Sequence, residues 1–124
     1  RHARVQERKA KEKHKAEEKW YAFAMRNKTL LAAAERSNVE DITDLIQAGA
    51  DLEAGLGNTA LILASRYGHV EAGKALVEAR AELNAGDHKG WTALKFAENH
   101  AFAKRNPAKY QPIAEYLRSK GAIK

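Results

Sequence analysis

The segment that comes nearest to a known chemical motif is Gly68-His69-Val70-Glu71-Ala72-Gly73-Lys74-Ala75. Its glycine spacing and its lysine approach the phosphate-cradling loop G-x-x-x-x-G-K-[ST], where the last hydroxyl holds Mg²⁺. Here the last residue is Ala75, so that hydroxyl is missing, and the segment follows a helical stretch instead of a strand. Gly73 reads better as a close helix contact, accepted at a cost of ~1 kcal/mol relative to alanine. Five histidines (His2, His14, His69, His88, His100) are scattered, with no His-x-His or His-Glu-x-x-His spacing to bring two imidazoles onto one metal. The chain has no cysteine, which removes disulfides, thiolate ligands and a thiol nucleophile. Its three serines, Ser37, Ser65 and Ser119, lie outside any nucleophile elbow. Neighbouring carboxylates such as Glu40-Asp41 read as solvated or helix-start acids stabilised by the helix dipole. No catalytic residue, cofactor-binding residue or metal ligand is therefore expected, and the chain is read as a non-enzyme.

What remains is binding, and the charge distribution bears on it. The 124 residues suit one compact domain with 44% hydrophobic content, and 31% charged residues exceeds the average of about 25%. The net charge of +6 belongs to residues 1–28, which hold ten Lys/Arg against four acids, whereas the rest carries twelve of each. The basic character is that of an N-terminal arm attached to a neutral domain, and it speaks about partners and not about fold. Residues 1–26 lack glycine and proline and are rich in strong helix formers, so a helical arm roughly 40 Å long is expected. Residues 1–18 have no apolar stripe, and pairs such as Glu7–Lys11 add only ~0.2–0.5 kcal/mol each. From Trp20 the texture changes: Trp20, Phe23 and Ala24 follow helical spacing beside Tyr21 and Met25. This end is expected to pack against the following domain as a cap. No run reaches the ~20 apolar residues of a transmembrane helix. With no cysteine present, an intracellular location, cytoplasmic or inside an organelle, is expected. The chain opens on Arg1 and not on methionine, as a processed or trimmed form would.

Internal repetition is the strongest signal. Gly57-Asn58-Thr59-Ala60-Leu61-Ile62-Leu63-Ala64 aligns with Gly90-Trp91-Thr92-Ala93-Leu94-Lys95-Phe96-Ala97 at an offset of 33 residues. An earlier copy is offset by 31: Ser37-Asn38-Val39-Glu40 matches Gly68-His69-Val70-Glu71, and Leu45 to Leu52 matches Leu76 to Leu83. The last copy closes with Ile113-Ala114-Glu115-Tyr116-Leu117 and Gly121-Ala122. Thr59 and Thr92 are placed to cap short helices, Ala64 and Ala97 are small where paired helices would approach, and Gly68 and Gly49 can end helices.

These residues resemble the ankyrin-repeat family over about residues 27–124. The family pattern G-x-T-P-L-x-x-A-x-x-x-G-H-x-E fits the second copy best, at Gly57, Thr59, Leu61, Ala64, Gly68, His69 and Glu71, with Leu76, Ala81 and Asn84 following. The resemblance implies an all-α ankyrin-repeat solenoid, stacked helix-turn-helix pairs with short hairpin loops, preceded by the long charged N-terminal helix. The expected division is an arm and cap at 1–28 and a repeat domain at 29–124, with units near 29–55, 56–88 and 89–124. Departures are the alanines Ala60 and Ala93 in place of the family's proline, and Arg80 where a glycine is expected. The last copy also has about eight extra residues around Ala101–Tyr110, carrying Pro107, with Pro112 expected in the first turn of the closing helix. Arg118 and Lys120 suit a polar capping unit.

By resemblance the function is non-catalytic protein–protein interaction through hairpin tips and the exposed side of the first helices. Carried over by position, the partner-binding residues of this concave face are Leu56, Asn58, Asp87, His88, Lys89 and Trp91 at the tips. Arg66, Tyr67, Asn99 and His100 are the corresponding helix residues, and Trp91 and Tyr67 are the preferred anchors because aromatic residues dominate hot spots. On the arm the partner-binding residues are Arg4, Arg8, Lys11, Lys15 and Lys19. The partner is expected to be a protein, with this chain a scaffold or accessory subunit of a multisubunit complex. The alternatives are an adaptor binding through the concave face, or an RNA or anionic surface met by the arm. Neither a cofactor nor a small-molecule substrate is expected.

Overall fold

The computed structural model describes the backbone of residues 2–55 and 57–123 and the side chains of residues 15–55 and 57–123. Seven helices follow one another among the described residues: α1 (His2–Arg36), α2 (Val39–Gln47), α3 (Ala60–Arg66), α4 (Val70–Glu78), α5 (Ala93–Asn99), α6 (Ala101–Arg105) and α7 (Pro107–Ser119). Three pairs form, α1 with α2, α3 with α4 and α5 with α7. The first helices stack in the order α1, α3, α5, and the second helices in the order α2, α4, α7. The only extended pairing among the described residues is an isolated bridge between Gly86 and Thr92 at the foot of a hairpin.

The repeated sequence produces repeated local geometry. Thr59 and Thr92 both adopt extended backbone and cap their helices, accepting from the N–H of Ile62 and of Lys95. Asn38 caps α2 by accepting from the N–H of Asp41. Each second helix ends in the same pair of bonds. Gly49 N–H donates to Ile46 O and Ala50 N–H to Leu45 O; Arg80 and Ala81 repeat this with Val77 and Leu76; Gly121 and Ala122 with Arg118 and Leu117. This is the Schellman arrangement, which needs a left-handed residue at the turn. Gly49 (φ 94°) and Gly121 (φ 93°) adopt it freely, but Arg80 (φ 73°) does so with a Cβ. Ser37 (φ 59°) likewise stands where the second copy has Gly68 (φ 73°).

The core runs through all three pairs. Leu30, Ile42, Leu61, Ile62, Leu76, Ile113 and Leu117 are all less than 2% exposed, and burying each such side chain is worth about 1.5–3 kcal/mol. Alanines 33, 34, 60, 64, 72, 93, 97 and 114 are buried between them, which allows the helices to approach closely. Neighbouring units are also tied by polar bonds. His69 Nε2 donates to Glu35 O at 2.7 Å, Glu53 Oε2 accepts from the N–H of Glu82, and Asn84 Oδ1 accepts from the N–H of Ile123. Asn27 Oδ1 accepts from the N–H of Asp51, which joins α1 to the first hairpin.

Three expectations need adjustment. The arm and the opening helix of the first unit are one uninterrupted helix, because nothing between residues 2 and 36 breaks it. Only its lower end packs: Leu30, Ala33 and Ala34 are buried, whereas Trp20 (70%), Tyr21 (63%), Phe23 (41%) and Met25 (40%) are exposed. The expected packing of these large side chains onto the repeats does not occur: they lie about one to three turns before Leu30, the first buried residue of α1 among those described. Pro112 is inside α7 and not in its first turn; Pro107 takes the first position, and the extra residues form α6 and the start of α7.

Candidate binding surface

The second and third units meet in a pocket of about 340 Å³ on the side of the hairpins and first helices. α3 ends at Arg66, and α5 places Phe96 and His100 four residues apart, on one helical face. The loop between α4 and α5 supplies Asp87, His88, Lys89 and Trp91, and the loop between α2 and α3 supplies Asn58. The hairpin is built around Asp87, whose Oδ1 accepts from the N–H of Lys89 and of Trp91, each at 2.9 Å. Its turn is closed by Gly90 N–H donating to Asp87 O. The two hairpins touch through His88, whose ring lies against Gly57; a Cβ at residue 57 would sit 3.2 Å from Nε2. Glycine is needed there twice over, because φ is 92°.

The walls are aromatic and the rim is polar. Trp91 packs on Phe96 at 5.1 Å between ring centroids and meets His100 edge-on at 6.4 Å, and Lys95 Nζ lies 4.7 Å from the Trp91 ring. His100 ends α5 and caps α6, its Nδ1 accepting from the N–H of Phe102 at 3.2 Å. A backbone N–H can only donate, so Nδ1 is unprotonated and the neutral ring carries its hydrogen on Nε2. Burial, and then the Arg66 guanidinium, hold the His100 pKa below the usual histidine value. Arg66 Nε is shielded from solvent and has no hydrogen-bond partner among the described residues.

Seven of the residues selected from sequence therefore line one pocket: Asn58, Arg66, Asp87, His88, Lys89, Trp91 and His100. Tyr67 stands aside. Its ring stacks between His69 (6.3 Å) and Phe102 (6.2 Å), next to the α6 insertion. Asn99 is also outside the lining, and Leu56 lies outside the described residues. Phe96 is a further lining residue that its place in the repeat hides, and it is buried; its four-residue spacing to His100 is the signal in the sequence. The insertion is anchored to the second unit: Tyr110 is buried and its hydroxyl donates to Arg66 O at 2.8 Å.

The upper part of α1 presents a second surface. Lys15 and Lys19 are exposed beside Trp20 and Tyr21, and Lys28 is exposed below them. The side chains of Arg4, Arg8 and Lys11 lie outside the described ones, although their backbone belongs to α1. Among the described residues there is no cluster of His, Cys, Asp or Glu suited to a metal ion, and no helix long and apolar enough to cross a membrane.

Comparison with known proteins gives two findings. The family model described as ankyrin repeats (3 copies) matches residues 30–124. Neurogenic locus notch homolog protein 2 of Homo sapiens is 45% identical over 67 residues, covering 52% of this chain and 3% of its own length. The Mus musculus protein of that name matches to the same extent, and the neurogenic locus Notch protein of Drosophila melanogaster is 39% identical over 66 residues, 51% of this chain and 2% of its own length. The chain thus spans only a few per cent of these relatives, and the likeness extends to about two repeat units.

Proposed function

Because this chain belongs to the ankyrin-repeat family, a family of protein-interaction modules, we propose that it serves as a small scaffold or accessory subunit of a larger assembly. In this reading α1 is the main docking element. The supporting observation is the exposure of Trp20, Tyr21, Phe23 and Met25 on a helix whose lower end is core. Four large apolar side chains within six residues are costly to leave in water, and the surrounding lysines favour an acidic partner. Arg4, Arg8, Lys11, Lys15 and Lys19 extend that surface toward the N-terminus. Crosslinking with mass spectrometry in native extract tests it. Crosslinks from Lys15, Lys19 and Lys28 to one recurrent protein are expected; a free monomer at endogenous concentration overturns the subunit reading.

A second reading is favoured by the pocket: an adaptor that takes its target on the concave face, through Asn58, Arg66, Lys89, Trp91 and His100. Its crosslinks fall on Lys89 and Lys95 instead of the arm. Contact of the arm with RNA is the remaining reading, and salt separates it. RNA affinity falls steeply with ionic strength, whereas docking through Trp20 and Phe23 is far less sensitive. Catalysis forms no part of the proposed role.

A further inference from the structure

We infer that the concave pocket is an anchor for a carboxylate side chain in an acidic peptide segment of a partner, together with the apolar residue beside it. The inference rests on the reading of the concave face as a binding surface, and adds what that surface selects.

Arg66, Lys89, Trp91 and His100 bring hydrogen-bond donors to the pocket, Asn58 and His88 can donate or accept, and Asp87 is the one carboxylate among the described lining residues. Arg66 is half-buried, engages in no ion pair among the described residues, and has its Nε out of solvent without a partner. A guanidinium held like this lacks an acceptor, and a carboxylate is the acceptor whose geometry it matches. His100 has spent its acceptor nitrogen on Phe102, so its other nitrogen can only donate. Lys89 adds an ammonium at the exposed hairpin tip. The one carboxylate in the lining, Asp87, has Oδ1 occupied by two backbone N–H groups of its own hairpin. It shapes the turn and leaves the guanidinium unpaired. Arg66 and Lys89 against Asp87 leave one positive charge, which suits a carboxylate better than a phosphate carrying close to −2.

The walls specify the rest of the ligand. Trp91 and Phe96 form an apolar face beside the donors, and about 340 Å³ is room for one or two side chains and not for a helix. The fitting segment is extended, with an aromatic or large aliphatic residue next to Asp or Glu.

The test is an amide NMR titration of the full chain with three short peptides: acetyl-Phe-Glu-amide, acetyl-Phe-Gln-amide and acetyl-Phe-phosphoserine-amide. The glutamate peptide is expected to shift the Trp91 indole and the amides of Asn58, Lys89 and His100. It should bind roughly tenfold more tightly than the glutamine peptide, the usual worth of one hydrogen bond to a charged group. Arg66→Gln is expected to abolish that difference with the melting temperature kept. Lys89→Gln, at the exposed tip, is expected to reduce it and guards against misfolding of the first variant. Equal affinity for the glutamate and glutamine peptides overturns the carboxylate anchor and leaves the concave face a binding surface. A phosphoserine peptide preferred more than about tenfold over glutamate overturns the assignment in favour of phosphate. Shifts from none of the three, or shifts confined to α1, overturn the anchor together with the reading beneath it.

Discussion

At Arg80 a side chain occupies a conformation that suits glycine. The Schellman turn after α4 requires a left-handed residue, and Arg80 supplies it at φ 73° with its Cβ crowding the backbone. The equivalent positions in the other units are Gly49 and Gly121. Arg80→Gly is therefore expected to stabilise the fold by about 1 kcal/mol, the usual cost of a left-handed non-glycine residue. Urea unfolding checks this, and an unchanged or lower midpoint contradicts it. Gly73 is the opposite case. A Cβ there would lie 2.7 Å from Ile113 Cδ1, the end of a fully buried side chain that would have to shift within the core. Alanine gains ~1 kcal/mol of helix propensity but overpacks the α4–α7 contact, which costs ~1–3 kcal/mol. Gly73→Ala should destabilise by about 1 kcal/mol as the balance of the two. Ile113→Val added to it removes Cδ1, so the double variant should recover most of that loss. Additive losses would show that the clash is not the cause.

Among the elements, α1 is divided by its surroundings and not by its sequence. It packs against α2 and α3, and burial places Leu30, Ala33 and Ala34 in the core while Trp20, Tyr21, Phe23 and Met25 stay exposed. Trp20→Ser with Tyr21→Ser is thus expected to change the stability of the isolated chain by less than about 0.5 kcal/mol, as for other surface positions. The same variant should lose capture by the partner found by crosslinking. A large drop in melting temperature would mean that these side chains pack on the repeats after all. The short α6 has a different part. It fills the space where the other units turn directly from first helix to second, and the segment that follows locks onto α3 through Tyr110.

For the molecule as a whole, two tyrosines bear on stability at alkaline pH. Burial, and then the nearby Tyr67, raise the pKa of Tyr110; burial, and then Glu78, raise that of Tyr116. The native state thus keeps protons that the unfolded chain releases above its ordinary value of about 10. When the native state binds more protons, stability falls as pH rises. Melting temperature is expected to be flat near neutrality from these groups and to decline above about pH 10. Tyr110→Phe should reduce that slope while costing about 1 kcal/mol at neutral pH through the lost bond to Arg66 O. An equal alkaline slope in wild type and variant would remove Tyr110 from the account. Three units is close to the smallest stable stack, so a loss at this joint is expected to be felt across the whole fold.

The sequence determined the features that are local and repeated. The threonine caps and the turn glycines depend on residues within a few positions of one another, and the 33-residue offset and the charge asymmetry are read from the residue order alone. A cap bond spans three residues and a Schellman turn five, so pattern alone settles them. The tertiary structure decided what depends on a neighbour. Arg66 and His100 are 34 positions apart, and only the stacking of α3 on α5 makes them walls of one pocket. Trp20 and Leu30 look equally fit for burial, yet only Leu30 is buried, because an apolar side chain is buried by what lies across from it and not by its own composition.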